Sequence, residues 1–396
     1  MIFCKYAERS LCRRLVARAG TTARGVLQHD NARSAQVRAA GIEYTTFELS
    51  WNSLEPRPGE YNQAYIEQRR QVLKHRREAG FKLAIDFGIQ YAPAWIYTLP
   101  NSRFVNQYGD VYIADDKPGW QMPNMMFSRP VRAAVENYVR KVRELYGNDF
   151  AIVRLGWGHY SELNYPLHKY NDKVNCYWAF DPVAQGRQPD LLPDGVTATP
   201  VPGYIPGQPS PQDEARQFLH WYHGALQNLH DWQLRLAREL YPQATLAMLY
   251  ASWGIRPGEI DRAVANDLNG NSGAEKNGEI QRGFDVARFF KGIRDPKVMA
   301  YSTWIDGWSP YCDDDSDNPG LWSPPHWLRH LIDQQPLPLL LGGENTGGDG
   351  HAVLERCAKR ARKYRMAVVF WAFERHLFPP HDLSLELYQQ AFDKQR

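Results

Sequence analysis

The sequence lacks a charge imbalance. Its 47 Lys+Arg stand against 44 Asp+Glu, a formal net charge of +3 over 396 residues. With no basic block either, nucleic acid is not the expected partner. No stretch approaches the ~18 uninterrupted apolar residues of a membrane span, so no membrane partner is expected. Cysteine is scarce: Cys4, Cys12, Cys176, Cys312 and Cys357 are scattered without CxxC spacing. That fits reduced thiols better than a disulfide framework. The opening stretch MIFCKYAERSLCRRLVARAG has no apolar h-region; residues 1–23 read as a basic surface helix, and the expected location is cytoplasmic. Cofactor signals are missing too. No Lys-Ser/Thr follows the glycines around Glu344, which excludes a P-loop, and nothing resembles GxSxG. His220 and His223 have no third ligand. Asp313, Asp315 and Asp317 alternate like the start of a calcium loop, but the glycine comes late and no Glu closes twelve residues. An acidic, solvated rim is the expectation there, with no metal and no cofactor.

Aromatic residues, by contrast, are plentiful, with 13 Trp and 22 Tyr. Many fall in turn-like segments, where aromatic faces beside polar groups suit sugars. Short β-branched runs alternate with helical patterns. Strands are predicted near Arg24–Gln28, Ile42–Leu49, Phe81–Phe87, Phe150–Leu155, Thr245–Tyr250, Val298–Trp304, Pro338–Leu341 and Met366–Phe373. Helices are predicted over Tyr65–Ala79, Pro130–Tyr146 and Arg216–Tyr241; the last carries Leu219, Tyr222, Leu226, Leu229, Trp232, Leu236 and Leu240 on one face. Parallel neighbours need crossover connections. Eight such units in this length favour one α/β domain, a (β/α)8 TIM barrel over residues 24–396. Residues Pro182–Pro211 hold eight prolines and four glycines, too many for a helix or interior strand. They are expected to form a long Pro-rich rim insertion after strand four.

In such a barrel, function comes from loops at the carboxyl ends of strands. Strand four runs into Gly156-Trp-Gly-His159-Tyr160-Ser161-Glu162, and strand seven into Gly342-Gly-Glu344-Asn345. Each Glu is the first carboxylate after its strand, and the two loops stand across the barrel mouth. Glycoside hydrolysis needs two such carboxyls. One protonates the leaving oxygen; the other attacks the anomeric carbon or activates water. Aromatic walls raise the pKa of the more desolvated one. Taken singly, Glu162 could cap a rim helix and Glu344 could pair with an Arg; together they point to catalysis. Trp51, Trp95 and Trp304 are candidate walls of the sugar site. His159 and Asn345 are candidates to bind hydroxyls, and Glu48 to meet a sugar hydroxyl or an Arg.

The stretch Trp51-Asn-Ser-Leu-Glu-Pro-Arg-Pro-Gly-Glu-Tyr61, through Gly80, to Ala92-Pro-Ala-Trp95 resembles the start of family 42 β-galactosidases, as does Met122-Pro-Asn124. That resemblance implies Glu162 as acid/base and Glu344 as nucleophile, with Trp371 as the floor under the cleaved sugar. Gly156-x-Gly158-x-x-x-Glu162-Leu-x-Tyr165-Pro166 and Gly343-Glu344-Asn345 are similar to the two glutamate motifs of family 14 β-amylases. Ser161 stands where the β-galactosidase clan has Asn, and the β-amylase lid after strand three is replaced by Ala-Pro-Ala-Trp. The first family retains configuration and the second inverts it. The expectation is an exo-acting, retaining β-glycosidase taking an oligosaccharide or glycoside, with homo-oligomerisation open. The rivals are an inverting α-glucan hydrolase and a barrel that only binds carbohydrate, the latter with an Arg or Lys filling the gap between the carboxyls.

Overall fold

The computed structural model describes residues 22–270 and 278–393. Residues 1–21 of the proposed amino-terminal helix, with Cys4 and Cys12, lie outside them, and Ala23, assigned to that helix, instead opens the first strand. Eight strands close into one parallel barrel in sequence order. They are β1 (Ala23–Val26), β2 (Tyr44–Glu48), β3 (Lys82–Asp86), β4 (Ile152–Leu155), β5 (Thr245–Tyr250), β6 (Val298–Ser302), β7 (Leu340–Glu344) and β8 (Val368–Trp371). Closure is made by β1 against β8, in the register Gly25↔Phe370. Gly25 leaves room there, since a Cβ on it would lie 2.6 Å from the Phe370 ring.

Principal helices follow the strands: α1 (Ser34–Ala39), α2 (Gln63–Glu78), α3 (Arg129–Tyr146), α4 (Gln212–Leu240), α5 (Val286–Phe290), α6 (Pro324–Asp333), α7 (His351–Lys363) and α8 (Leu385–Asp393). Ser128 caps α3 by accepting from the Val131 N–H, and Gly147 ends it with φ of 79°. On α4, Leu219, Tyr222, Leu226, Leu229, Leu236 and Leu240 are buried as the periodicity requires. Each leucine so covered contributes ~1.5–3 kcal/mol of burial.

Strand periodicity divides the core in two. Tyr44, Ala84, Ile152, Ala247, Leu249, Met299, Tyr301, Val368 and Phe370 fill the barrel interior. Residues of the other parity, such as Phe47, Ile85, Val153, Leu155 and Trp371, pack outward against the helices. β7 extends to Glu344 rather than ending at Leu341. Gly342 and Gly343 permit close approach within the strand: a Cβ on Gly343 would sit 2.2 Å from the Ser302 carbonyl oxygen.

Residues 182–211 lie between β4 and α4 and pack along α4. The Trp221 indole donates to the Thr197 carbonyl at 2.8 Å and Asn228 to that of Asp194 at 3.0 Å. The acidic loop is matched by cations of α7, with Asp314 on Arg360 at 3.2 Å and Asp315 on Lys363 at 2.5 Å. His220 meets Arg288, whereas His223 bonds the Ile280 carbonyl, so the two histidines do not converge. Among the described residues, no helix is long and apolar enough to cross a membrane.

Candidate active site

The loop after β4 is folded tightly on itself. The Trp157 N–H donates to the Ser161 carbonyl at 3.1 Å and the Gly158 N–H to that of Glu162 at 2.9 Å. Side chains at the two glycines would obstruct this. A Cβ on Gly156 would lie 2.3 Å from the Ser161 oxygen, and one on Gly158 2.5 Å from the Glu162 oxygen. Gln233 of α4 brackets Gly156, accepting from its N–H at 2.7 Å and donating to its carbonyl at 3.0 Å. Trp157, Tyr160 and Ser161 are held at φ of 60°, 56° and 66°, left-handed geometry that costs energy in non-glycine residues and is concentrated at functional sites. Glu162 is thereby fixed at the end of a braced turn.

Its carboxyl is buried, with 8% of the residue exposed. Thr303 donates to Oε1 at 2.7 Å, and the Asn164 amide to Oε2 at 3.3 Å. Burial is the largest influence and pushes the Glu162 pKa up to about 7, reinforced by the charge of Glu344 and opposed by Arg282, the Thr303 hydrogen bond and Arg154. A carboxyl so placed holds its proton near neutrality, as a general acid must.

Glu344 lives in a different setting. Arg154 donates to its Oε2 at 2.9 Å and the Tyr301 hydroxyl to the same oxygen at 2.7 Å. Arg154 itself is anchored by Tyr301 at 2.9 Å and Asp86 at 3.3 Å. Burial disfavours the Arg154 cation, but Glu344, Tyr301 and Asp86 outweigh it and hold its pKa well above the ordinary value. Oε1 of Glu344 makes no hydrogen bond with any described residue. Tyr301 and Thr303 are two residues apart at the end of β6, hence about 7 Å apart along the strand, and each grips one of the two carboxyls. Asp86, Arg154 and Tyr301 share the inward parity of their strands, and Arg154 interrupts an otherwise apolar run, Ile-Val-Arg-Leu. That charge in a buried strand was the available signal for a set of residues that motif reading missed.

The other expected residues divide. Trp304 is partly exposed and remains at the mouth. Trp95 is partly buried, its indole donating to the Glu55 carbonyl at 3.0 Å. Glu48 has an Arg partner, Arg76 at 3.2 Å. Burial pushes its pKa up, but Arg76 and hydrogen bonds from Thr46 and Gln28 hold it down at about 2. His159 is buried against Trp120 and Tyr160, with neither ring nitrogen hydrogen-bonded to a described residue. Burial, then Arg282, lowers its pKa to about 3, so the ring is neutral. Arg282, only 4% exposed, makes no hydrogen bond through its guanidinium to any described residue.

Three expectations need correction. Trp51 is fully buried, stacked on Tyr138 at 4.9 Å with its indole bonded to Glu55, and is a core residue rather than a wall. Trp371 has outward parity and packs on Tyr388 of α8 at 6.0 Å, so it is no floor of the site. The Asn345 side chain accepts from the Ala372 N–H at 2.7 Å and donates to the Gly348 carbonyl at 3.0 Å. It fastens the loops after β7 and β8 instead of offering its amide to a sugar.

Comparison with known proteins agrees with this architecture. Residues 27–187 match the model of glycoside hydrolase family 42, described as beta-galactosidase. That span contains Glu162 and stops short of Glu344. No curated protein matches the chain. The catalytic domain of β-amylase from Paenibacillus polymyxa is similar in fold, with a TM-score of 0.64 at 12% identity, covering 96% of this chain and 100% of that one. The β-galactosidase from the psychrophilic Marinomonas ef1 gives a TM-score of 0.57 at 14% identity, covering 94% of this chain and 59% of that one. The β-galactosidase from the Antarctic haloarchaeon Halorubrum lacusprofundi gives 0.58 at 14% identity, covering 94% and 58%. The chain thus spans less than two thirds of the length of these two β-galactosidases. Its architecture is the TIM-barrel glycoside hydrolase fold, and the part that resembles family 42 is its front half.

Proposed function

We propose that this protein is a glycoside hydrolase of β-galactosidase type, exo-acting and retaining, that uses Glu162 as acid/base and Glu344 as nucleophile. The observation that carries this is the contrast between two carboxyls gripped from one strand end, one burdened by burial and the other ion-paired to Arg154. Glu162 delivers its proton to the glycosidic oxygen as the bond to the aglycone breaks. Oε1 of Glu344, clear of hydrogen bonds, attacks the anomeric carbon, while Arg154 and Tyr301 hold Oε2. Water then enters, Glu162 takes its proton, and the sugar is released with configuration retained. Neutral His159 and the mouth residue Trp304 are the proposed contacts for hydroxyls and the sugar face; Glu48 is proposed to act at the edge of the site through its link to Arg76. The family 42 match around Glu162 supports the exo, β-galactosidase-like assignment.

Proton NMR of the first-formed anomer from an aryl glycoside tests the stereochemistry. Retention supports this assignment, and inversion favours a β-amylase-like reaction. Glu162→Gln and Glu344→Gln should each lose orders of magnitude in kcat while monosaccharide affinity survives. Full activity in either variant rejects the pair. A protein that only binds carbohydrate would show affinity without turnover across the glycoside panel. Arg154 beside Glu344 makes that a real alternative for the experiment to eliminate.

A further inference from the structure

A second cluster stands at the rim, apart from the carboxyl pair. Asp349 lies in the loop after β7, five residues beyond Glu344, while His376 and His381 lie in the segment after β8. One ligand atom from each falls within 4.8 Å of the other two. The Asp349 Oδ2 and His381 Nδ1 are 3.1 Å apart, and the two imidazole centroids 4.6 Å apart. His376 carries the independent signal. It is only 7% exposed, its Nδ1 is buried without a partner, and neither ring nitrogen is hydrogen-bonded to a described residue. A buried imidazole with nothing to bond costs free energy unless something else meets it. The Arg375 guanidinium lies over the Phe373 ring and donates to Gln28.

We propose that Asp349, His376 and His381 form a binding site for one divalent transition-metal ion of the zinc class. Two imidazoles and one carboxylate are a borderline, nitrogen-rich set that suits zinc better than calcium or magnesium. With three protein ligands, a fourth position is left for water. Bond lengths of about 2.0–2.2 Å at tetrahedral angles set ligand atoms roughly 3.4 Å apart, so a pair as wide as 4.8 Å would close by up to about 1.4 Å on binding. The ion would tie the loop that follows Glu344 to the segment after β8, alongside the Asn345 fastening. It therefore acts as a clamp on the rim and takes no part in the bond-breaking step.

The test uses untagged full-length protein stripped with a chelator and titrated with Co2+, then Zn2+. One Co2+ per chain should bind with visible d–d absorption, Zn2+ should displace it, and the Tm should rise with Zn2+. Asp349→Asn and His381→Gln, both at accessible positions, should each weaken binding at least tenfold and abolish the Tm rise while leaving the metal-free fold unchanged by circular dichroism. Absence of saturable binding near one equivalent overturns the proposal, as does binding that both variants leave intact. Because the readouts are spectral and thermal, the site stands or falls separately from the glycosidase assignment.

Discussion

The two carboxyl settings differ in how the chain reaches them. Glu162 closes a loop that turns through glycines and strained residues, and its hydrogen-bond donors are neutral Thr303 and Asn164. Glu344 is the last residue of a regular strand and meets a cation, Arg154, that is itself held by Asp86. Neutral donors cannot offset the burial of a negative charge as an arginine does, so one fold surrounds two glutamates with unequal electrostatics. Glycosidase acid and nucleophile roles need that inequality.

The comparison can be broken first at Arg154. Arg154→Met leaves buried Asp86 and partly buried Glu344 without their cation and should cost about 3–5 kcal/mol of stability, read by urea unfolding. An unchanged midpoint would show that the arginine does not hold the site together. Glu162→Gln sharpens the other side. Because the Glu162 pKa rises from 4.5 to about 7 on folding, the wild type loses stability as pH climbs through that window. The amide, which does not titrate, should therefore gain on it by roughly 3 kcal/mol between pH 4 and pH 8. A pH-independent difference would mean that Glu162 ionises as freely as in water. In the wild type the same proton should make kcat/KM fall above about pH 7.

Tyr301→Phe removes one charge-assisted hydrogen bond from Glu344 and should lower kcat by about 10- to 100-fold, corresponding to ~1.5–3 kcal/mol. KM should change little, because the bond matters most as charge moves during attack. The smallest effect is expected from Thr303→Val. The Thr303 hydrogen bond lowers the Glu162 pKa, so its loss should move the alkaline limb upward by ~0.5–1 pH unit. Movement in the other direction would reverse the assignment of acid and nucleophile settings.

Much of the barrel was legible because parallel strands buried on both faces read as short apolar runs. Thr245–Tyr250 coincides with its predicted bounds, and each of the other strands overlaps its own. β7 was cut short because Gly342 and Gly343 carry turn chemistry in isolation, and only their neighbours Met299 and Ser302 explain why side chains are excluded there. Glu162 and Glu344 were visible as first carboxylates after glycine-bearing strand ends. Asp86, Arg154, Tyr301 and Thr303 were not, since none sits in a motif and their meeting depends on barrel closure. The tryptophans misled for a related reason. Trp51 and Trp371 are chemically suited to a sugar face, but the short helical turn Trp51–Leu54 and the outward parity of Trp371 send both indoles into the core.

Periodicity, glycine placement and composition by themselves determined a parallel α/β chain, its strand count and two exceptional glutamates, because these are properties of neighbours along the backbone. Which groups surround those glutamates was decided only by the tertiary structure. A carboxyl's proton affinity depends on burial and on groups a few ångströms away, and those groups are the charges of Asp86 on β3, Arg154 on β4, Glu344 on β7 and Arg282, with hydroxyls at the end of β6, each brought alongside only when the barrel closes.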